Sequence, residues 1–225
     1  MNFAALSLLF WCICRDVKTV RAEDLISATT ATINGGCKVT IEIVMTEGRF
    51  FNDQEDVSVS GEKWQGQFEI RIRRTHKLLF KTSLNQLLRP KTPSEPLFFW
   101  APKFKLALRD YKGDGSVDFN LFDQYDGSMY NQYRIFSVRR DGSIKELPVD
   151  CDKYGNGLVV SGADHMNSTR TIKATRGLMS STVYDRGEDS GHSGFMIEER
   201  AWKRGKFVLV NSKPGDWPQE DRGVR

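Results

Sequence analysis

Apolar residues recur at every second position in several stretches of this chain. That period commits them to extended strands with one buried face, because successive strand side chains point to opposite sides. Val39, Ile41 and Ile43 interleave with Thr40 and Glu42, and Phe68, Ile70 and Ile72 with Glu69, Arg71 and Arg73. The same reading covers 104–108, 133–138, 158–161, 171–175, 195–202 and 207–210. Asp-Gly dipeptides at Asp114-Gly115, Asp126-Gly127 and Asp141-Gly142 supply tight turns that need positive φ. The segment 135–147, strand, Asp141-Gly142 and strand, is the clearest hairpin. Helix signals are confined to Ser83–Leu88, which Arg89-Pro90 must end. The pattern predicts one antiparallel all-β domain over residues 23–210, propeller- or sandwich-like, with minimal helix. The prolines at 90, 93 and 96 mark a weak internal boundary near 83–97, and 211–225 reads as a flexible tail.

The apolar run Phe3–Cys14 is about 12 residues long, too short for a ~30 Å hydrocarbon layer and of the length of a signal-peptide core. With Val20 and Ala22 at the minus-three and minus-one positions, residues 1–22 are expected to be a signal peptide cut before Glu23. No cation precedes the apolar run, while Arg15, Lys18 and Arg21 follow it, so an uncleaved anchor is the alternative. Cleavage leaves Cys37 and Cys151, and two cysteines in an exported chain point to one disulfide, against the alternative of two separate thiols. Such a bridge would close a long loop and stabilise by roughly 4 to 5 kcal/mol in the chain-entropy account. Losing three cations and one anion lowers the formal charge from +4 to +2, which is no nucleic-acid footprint. Arg71, Arg73, Arg74 and Lys77 around His76 form the densest basic stretch, either a solvated strand face or a surface for an acidic partner.

The stretch Asp110-Tyr111-Lys112-Gly113-Asp114-Gly115-Ser116-Val117-Asp118-Phe119 carries the most specific chemistry. Ca²⁺ takes six to eight oxygens, and carboxylates at positions 1, 5 and 9 of a loop that turns at glycine can converge on one ion. Asp110, Asp114, Ser116 and Asp118 are therefore the candidate ligands. Leu121 occupies the place of the bidentate Glu of an EF-hand, and the flanks read as strands, so the better comparison is a propeller-type Asp-x-Asp-x-Asp-Gly-x-x-Asp loop. Lys112 replaces the usual second ligand, and its ammonium either repels the ion or takes the cation's own place among the aspartates. The bland reading is an Asp-Gly turn held by side-chain hydrogen bonds.

Catalytic signatures fail one by one, and no catalytic residue is expected. Gly191-His192-Ser193-Gly194-Phe195 lacks the second glycine and the strand-to-helix setting of a nucleophile elbow. His76, His165 and His192 have no zinc spacing. Asn167-Ser168-Thr169 is a glycosylation sequon.

From about Phe98 to Val210 the order of motifs resembles a family of exported bacterial proteins related to the type I periplasmic lysozyme inhibitors, some of which are immunity proteins against peptidoglycan hydrolases. The carriers are the loop 110–119, the aromatic stretch 130–136 and the ending 198–209. The resemblance implies an all-β fold, a Ca²⁺ loop, a periplasmic or secreted location and binding without catalysis. It also implies that a Ser-Gly-rich loop enters the hydrolase cleft, which falls here on Ser190, Gly191, His192, Ser193 and Gly194. The expected partner is a lysozyme-like hydrolase, with no nucleic acid and no membrane span after cleavage. The rival classes are a structural or adhesive envelope protein and, more weakly, a secreted hydrolase.

Overall fold

The computed structural model describes residues 18–20, 23–33, 35–54, 60–89, 91–125, 130–150, 157–161, 166–187 and 193–216. They form three antiparallel sheets and one five-residue helix. The first sheet contains β1 (Lys18–Val20), β2 (Asp24–Ile33), β3 (Cys37–Asp53), β4 (Gly61–Arg74), β5 (Lys77–Ser83) and β6 (Leu97–Trp100). The second contains β7 (Leu108–Arg109), β8 (Val117–Tyr125), β9 (Tyr130–Val138), β10 (Ile144–Glu146) and β11 (Leu158–Ser161). The third runs in order through β12 (Lys173–Thr175), β13 (Leu178–Arg186), β14 (Ser193–Lys203) and β15 (Lys206–Pro214).

The second sheet lies between the other two, and its central strands are buried on both faces. Phe119, Leu121, Phe136 and Val138 join Val39, Ile41, Ile43, Phe68, Ile70 and Ile72 of the first sheet in one core. From the opposite face Phe122, Tyr133 and Ile135 join Ile172, Met179 and Phe207 in another. Both faces of β9 carry large apolar side chains, whereas β8 keeps its apolar–polar alternation by burying Asp118 and Asn120. Each buried large apolar side chain contributes on the order of 1.5–3 kcal/mol.

The first core draws on both sides of the proline-rich stretch, and β6 pairs with β4 across it. Helix α1 (Leu84–Leu88) follows the sequence pattern: the Ser83 hydroxyl accepts from the Gln86 amide, and Leu84 and Leu88 enter the core. The Asp141-Gly142 hairpin also forms, with Gly142 at φ +86° and Ile144 opposite Val138.

Several expectations change. The strand expected over 104–108 is reduced to a bridge at Phe104 and the short β7, because side chains satisfy the backbone between them. Leu106 N donates to Thr29 Oγ1 and Ala107 N to Ser168 Oγ. Of the tail expected over 211–225, residues 211–214 belong to β15 and pair with β14, and 217–225 lie outside the described residues. Most consequentially, β1 lies inside the segment expected to be a leader and pairs with β3, Lys18 opposite Phe50 and Val20 opposite Gly48. The rest of 1–22 is outside the described residues. Among the described residues no helix is long and apolar enough to cross a membrane.

Candidate functional site

The loop between β7 and β8 is closed by its own aspartates. Asp110 Oδ1 accepts from the amides of Gly113 (2.8 Å) and Asp114 (3.1 Å), and Oδ2 from Gly115 (2.8 Å). Asp114 accepts from Ser116 N at 3.0 Å and from the Lys112 ammonium at 2.7 Å. Asp118, fully buried, accepts from Tyr111 N and from the Ser116 hydroxyl. Gly113 and Gly115 sit at φ +73° and +79°, where other residues are strained.

Burial works against ionisation of Asp114, but the hydrogen bonds from Lys112 and Ser116 outweigh it and bring the pKa down to about 2. At Asp118 burial prevails over hydrogen bonds from Ser137 and Ser116 and pushes the carboxyl up. The Tyr111 hydroxyl is buried, accepts from Asn120 Nδ2, and is likewise pushed up by burial. Among the described residues no group of three His, Cys, Asp or Glu side chains converges as a metal-holding set. The four candidate ligands do lie in one loop, but the carboxylate oxygens of the three aspartates are turned to backbone amides, the Ser116 hydroxyl and the Lys112 ammonium. As arranged, this donor set does not fit Ca²⁺ without displacing the Lys112 ammonium. The loop also docks on the turn between β12 and β13: a Cβ on Gly113 would come within 2.8 Å of the Gly177 Cα. It therefore ties the second sheet to the third.

The Ser-Gly-rich stretch falls at the end of the β13–β14 hairpin, where Arg186 lies opposite Ser193 and residues 187–192 connect the strands. Ser190, Gly191 and His192 lie outside the described residues; Ser193 is exposed and Gly194 half-buried at the start of β14. The hairpin is braced below its tip. The Tyr130 hydroxyl donates to the Tyr184 carbonyl at 2.7 Å, and the Tyr184 amide donates to Ser161 Oγ at 2.9 Å. Tyr130 and Ser161 are themselves paired across β9 and β11. The Tyr184 ring meets Phe195 edge-on at 5.1 Å, its hydroxyl lies 3.2 Å from that of Ser193, and Arg186 sits 5.5 Å above the Tyr130 ring. Sequence reasoning missed Ser161, Tyr184 and Arg186. Tyr130 stood in the aromatic stretch, but nothing in its spacing pointed to the hairpin.

The basic stretch on β4 is largely compensated by acids. Arg71 forms a two-pronged pair with Glu23 at 2.7 and 2.8 Å and also meets Glu69, while Arg73 meets Glu42 at 2.9 Å. The Arg71 guanidinium holds the Glu23 carboxyl below the usual carboxylate range. Arg74, His76 and Lys77 remain exposed at the β4–β5 turn. Cys37 is a half-buried free thiol at the start of β3, and its expected disulfide partner Cys151 lies outside the described residues. Asn167 is buried, with Nδ2 donating to the Trp100 carbonyl and Oδ1 accepting the Trp100 amide. Its amide nitrogen is engaged in the fold and turned away from any glycan. No family model matches the sequence, and comparison with curated proteins and with solved structures gives no match either.

Proposed function

We propose that this chain is an exported binding protein that blocks a lysozyme-like peptidoglycan hydrolase by inserting the tip of the β13–β14 hairpin into its cleft. In this reading residues 1–22 are a leader removed after Ala22, and the protein performs no chemistry of its own. The observation that carries it is the bracing of that hairpin by Tyr130 and Ser161. A loop that must occupy a cleft loses less entropy on binding when its base is already fixed. Hydroxyl groups at the tip, with Ser193 exposed, suit the carboxylates of a glycosidase.

The test is lysis of peptidoglycan by a panel of muramidases with and without the purified protein. At least one enzyme is expected to be inhibited stoichiometrically, and His192→Glu, which adds an anion at the tip, is expected to abolish the inhibition. Unchanged lysis across the panel by a folded protein would overturn the reading.

A further inference from the structure

We propose that processing opens a strand-acceptor slot on the β3 edge at Gly48–Phe50, and that the slot takes an extended segment of a partner protein with an acidic residue between two apolar ones. The inference rests on the cleavage after Ala22 proposed above.

Along β3 the outer edge is covered by two different strands. β2 pairs with 37–45, and the only described strand beyond it is β1, opposite Gly48, Arg49 and Phe50. The ladder is interrupted between these stretches, where β3 bulges at Met45/Glu47 against β4. Removing residues 1–22 removes β1 entirely and bares the main-chain donors and acceptors it used. An uncovered row of this kind is a template for another strand.

The rest of the fold stays in place. All described core residues lie between Ile26 and Phe207, so none belongs to the leader. Glu23, the first residue of the processed chain, bonds to Arg71, and β2 pairs with β3 from Asp24 onward, so the start of β2 is held without the leader. Cleavage thus opens the slot without unravelling the neighbouring strand.

The register fixes what the slot accepts. Paired residues share a face of the sheet, so a segment docked as β1 is docked sets one residue beside Arg49 and the two around it beside Gly48 and Phe50. Arg49 is exposed, lies over the Phe51 ring and donates to Gln65, and it presents a cation to the middle position. On the other face Phe50 packs 5.3 Å from Trp64 at the margin of the core. Gly48 faces Gly66 there, and a Cβ on Gly48 would come within 2.3 Å of the Gln65 carbonyl. Neither glycine projects a side chain, so apolar groups can lie over the backbone at the outer positions.

The probe is the synthetic peptide Val17–Ala22, added to the protein beginning at Glu23 and followed by the backbone amide signals of residues 47–51. Saturable shifts confined to that edge are expected. The full chain that retains its leader should show none, because β1 already fills the slot. N-methylation of the peptide should alternate in effect: loss of binding at 18 and 20 with tolerance at 19, or the reverse, as an antiparallel ladder demands. A peptide with Thr19→Glu should bind about threefold to fivefold tighter, the contribution of one exposed ion pair, and the preference should reverse with Arg49→Glu in the protein. Unmoved edge amides in a folded protein, or N-methyl effects that do not alternate, would sink the proposal. If the shortened protein fails to fold, Thr19→Pro in the full chain dislodges β1 and must show the same peptide binding. Mass measurement of the exported protein judges the cleavage separately: a chain that keeps residues 18–20 overturns the processing, while the Thr19→Pro protein still decides the slot.

Discussion

The Tyr130 hydroxyl reaches across from the second sheet to the Tyr184 carbonyl at 2.7 Å, while Ser161, paired with Tyr130 on the neighbouring strand, accepts from the amide of the same residue. Two side chains do there what another strand would do, on a stretch of β13 that β12 does not reach. Tyr130→Phe leaves a part-buried carbonyl without this donor. The expected cost is about 0.5–1.5 kcal/mol, seen as a fall in Tm of a few degrees for a chain of this size. Hydrogen exchange at 193–196 should speed up, and any inhibition of a muramidase should weaken more than the change in Tm accounts for. Protection at 193–196 equal to that of the wild type would show that the brace does not hold the tip.

Arg71 and Glu23 are unequal partners. The arginine side chain is 9% exposed and the glutamate 61%, so solvent screens one end of the pair. Glu23→Gln is expected to move Tm by no more than about 2 °C. Arg71→Met removes the cation shared by Glu23 and Glu69 and leaves Glu69 partly buried beside Lys81 at 3.6 Å. That change should cost about 1–3 kcal/mol. Thermal unfolding of both variants checks the asymmetry, and equal effects would contradict it.

Asp114 and Asp118 pull the acid stability in opposite directions. The folded-state pKa of Asp114 is depressed to about 2, so its contribution is present above its unfolded value near 4 and is lost as pH falls from there toward 2. Asp118 is raised, so its ionisation at neutral pH works against the fold, and acidification relieves that cost. Asp114→Asn should therefore flatten the loss of stability between about pH 4 and pH 2. Asp118→Asn should leave that acid loss at least as steep as in the wild type. Urea unfolding across this range reads both, and an unchanged acid limb in Asp114→Asn would count against the assignment.

Much of the fold was legible because single-faced strands keep their alternation: β3 and β4 read directly from Val39–Ile43 and Phe68–Ile72. The strands that escaped notice have physical reasons. β2 buries Ala31 and Ile33 among threonines, and its small side chains give a faint signal. β13 carries Ser180, Ser181 and Thr182 at its centre, with Ser181 and Thr182 buried, and a buried hydroxyl reads as a polar residue in sequence. The aspartate loop was found from its spacing, but its occupancy by Lys112 turned on where one flexible side chain points. The brace at Tyr184 was invisible for another reason: it joins residues 54 and 23 positions apart through contacts no local period encodes. The same holds for Asn167, whose amide pairs with Trp100 across 67 positions like a strand neighbour.

The geometry of the β7–β8 loop favours Lys112 as the internal cation that closes it, and this can be separated from a calcium site by one substitution. A ligand that binds only the folded state raises Tm with concentration. The wild-type protein is expected to unfold at the same temperature in Ca²⁺ and in chelator, because the ammonium 2.7 Å from Asp114 already balances the carboxylates and would have to be expelled. Lys112→Asn withdraws the cation and offers an amide oxygen at the same position, a ligand type that Ca²⁺ accepts. In chelator that variant should be less stable than the wild type, since Asp114 then loses its ammonium partner. Adding Ca²⁺ should restore it, and Asp114→Ala in the same background should remove the response. A wild-type protein that gains stability from Ca²⁺ would show instead that Lys112 swings aside, leaving the aspartates free to turn from the loop amides toward the ion.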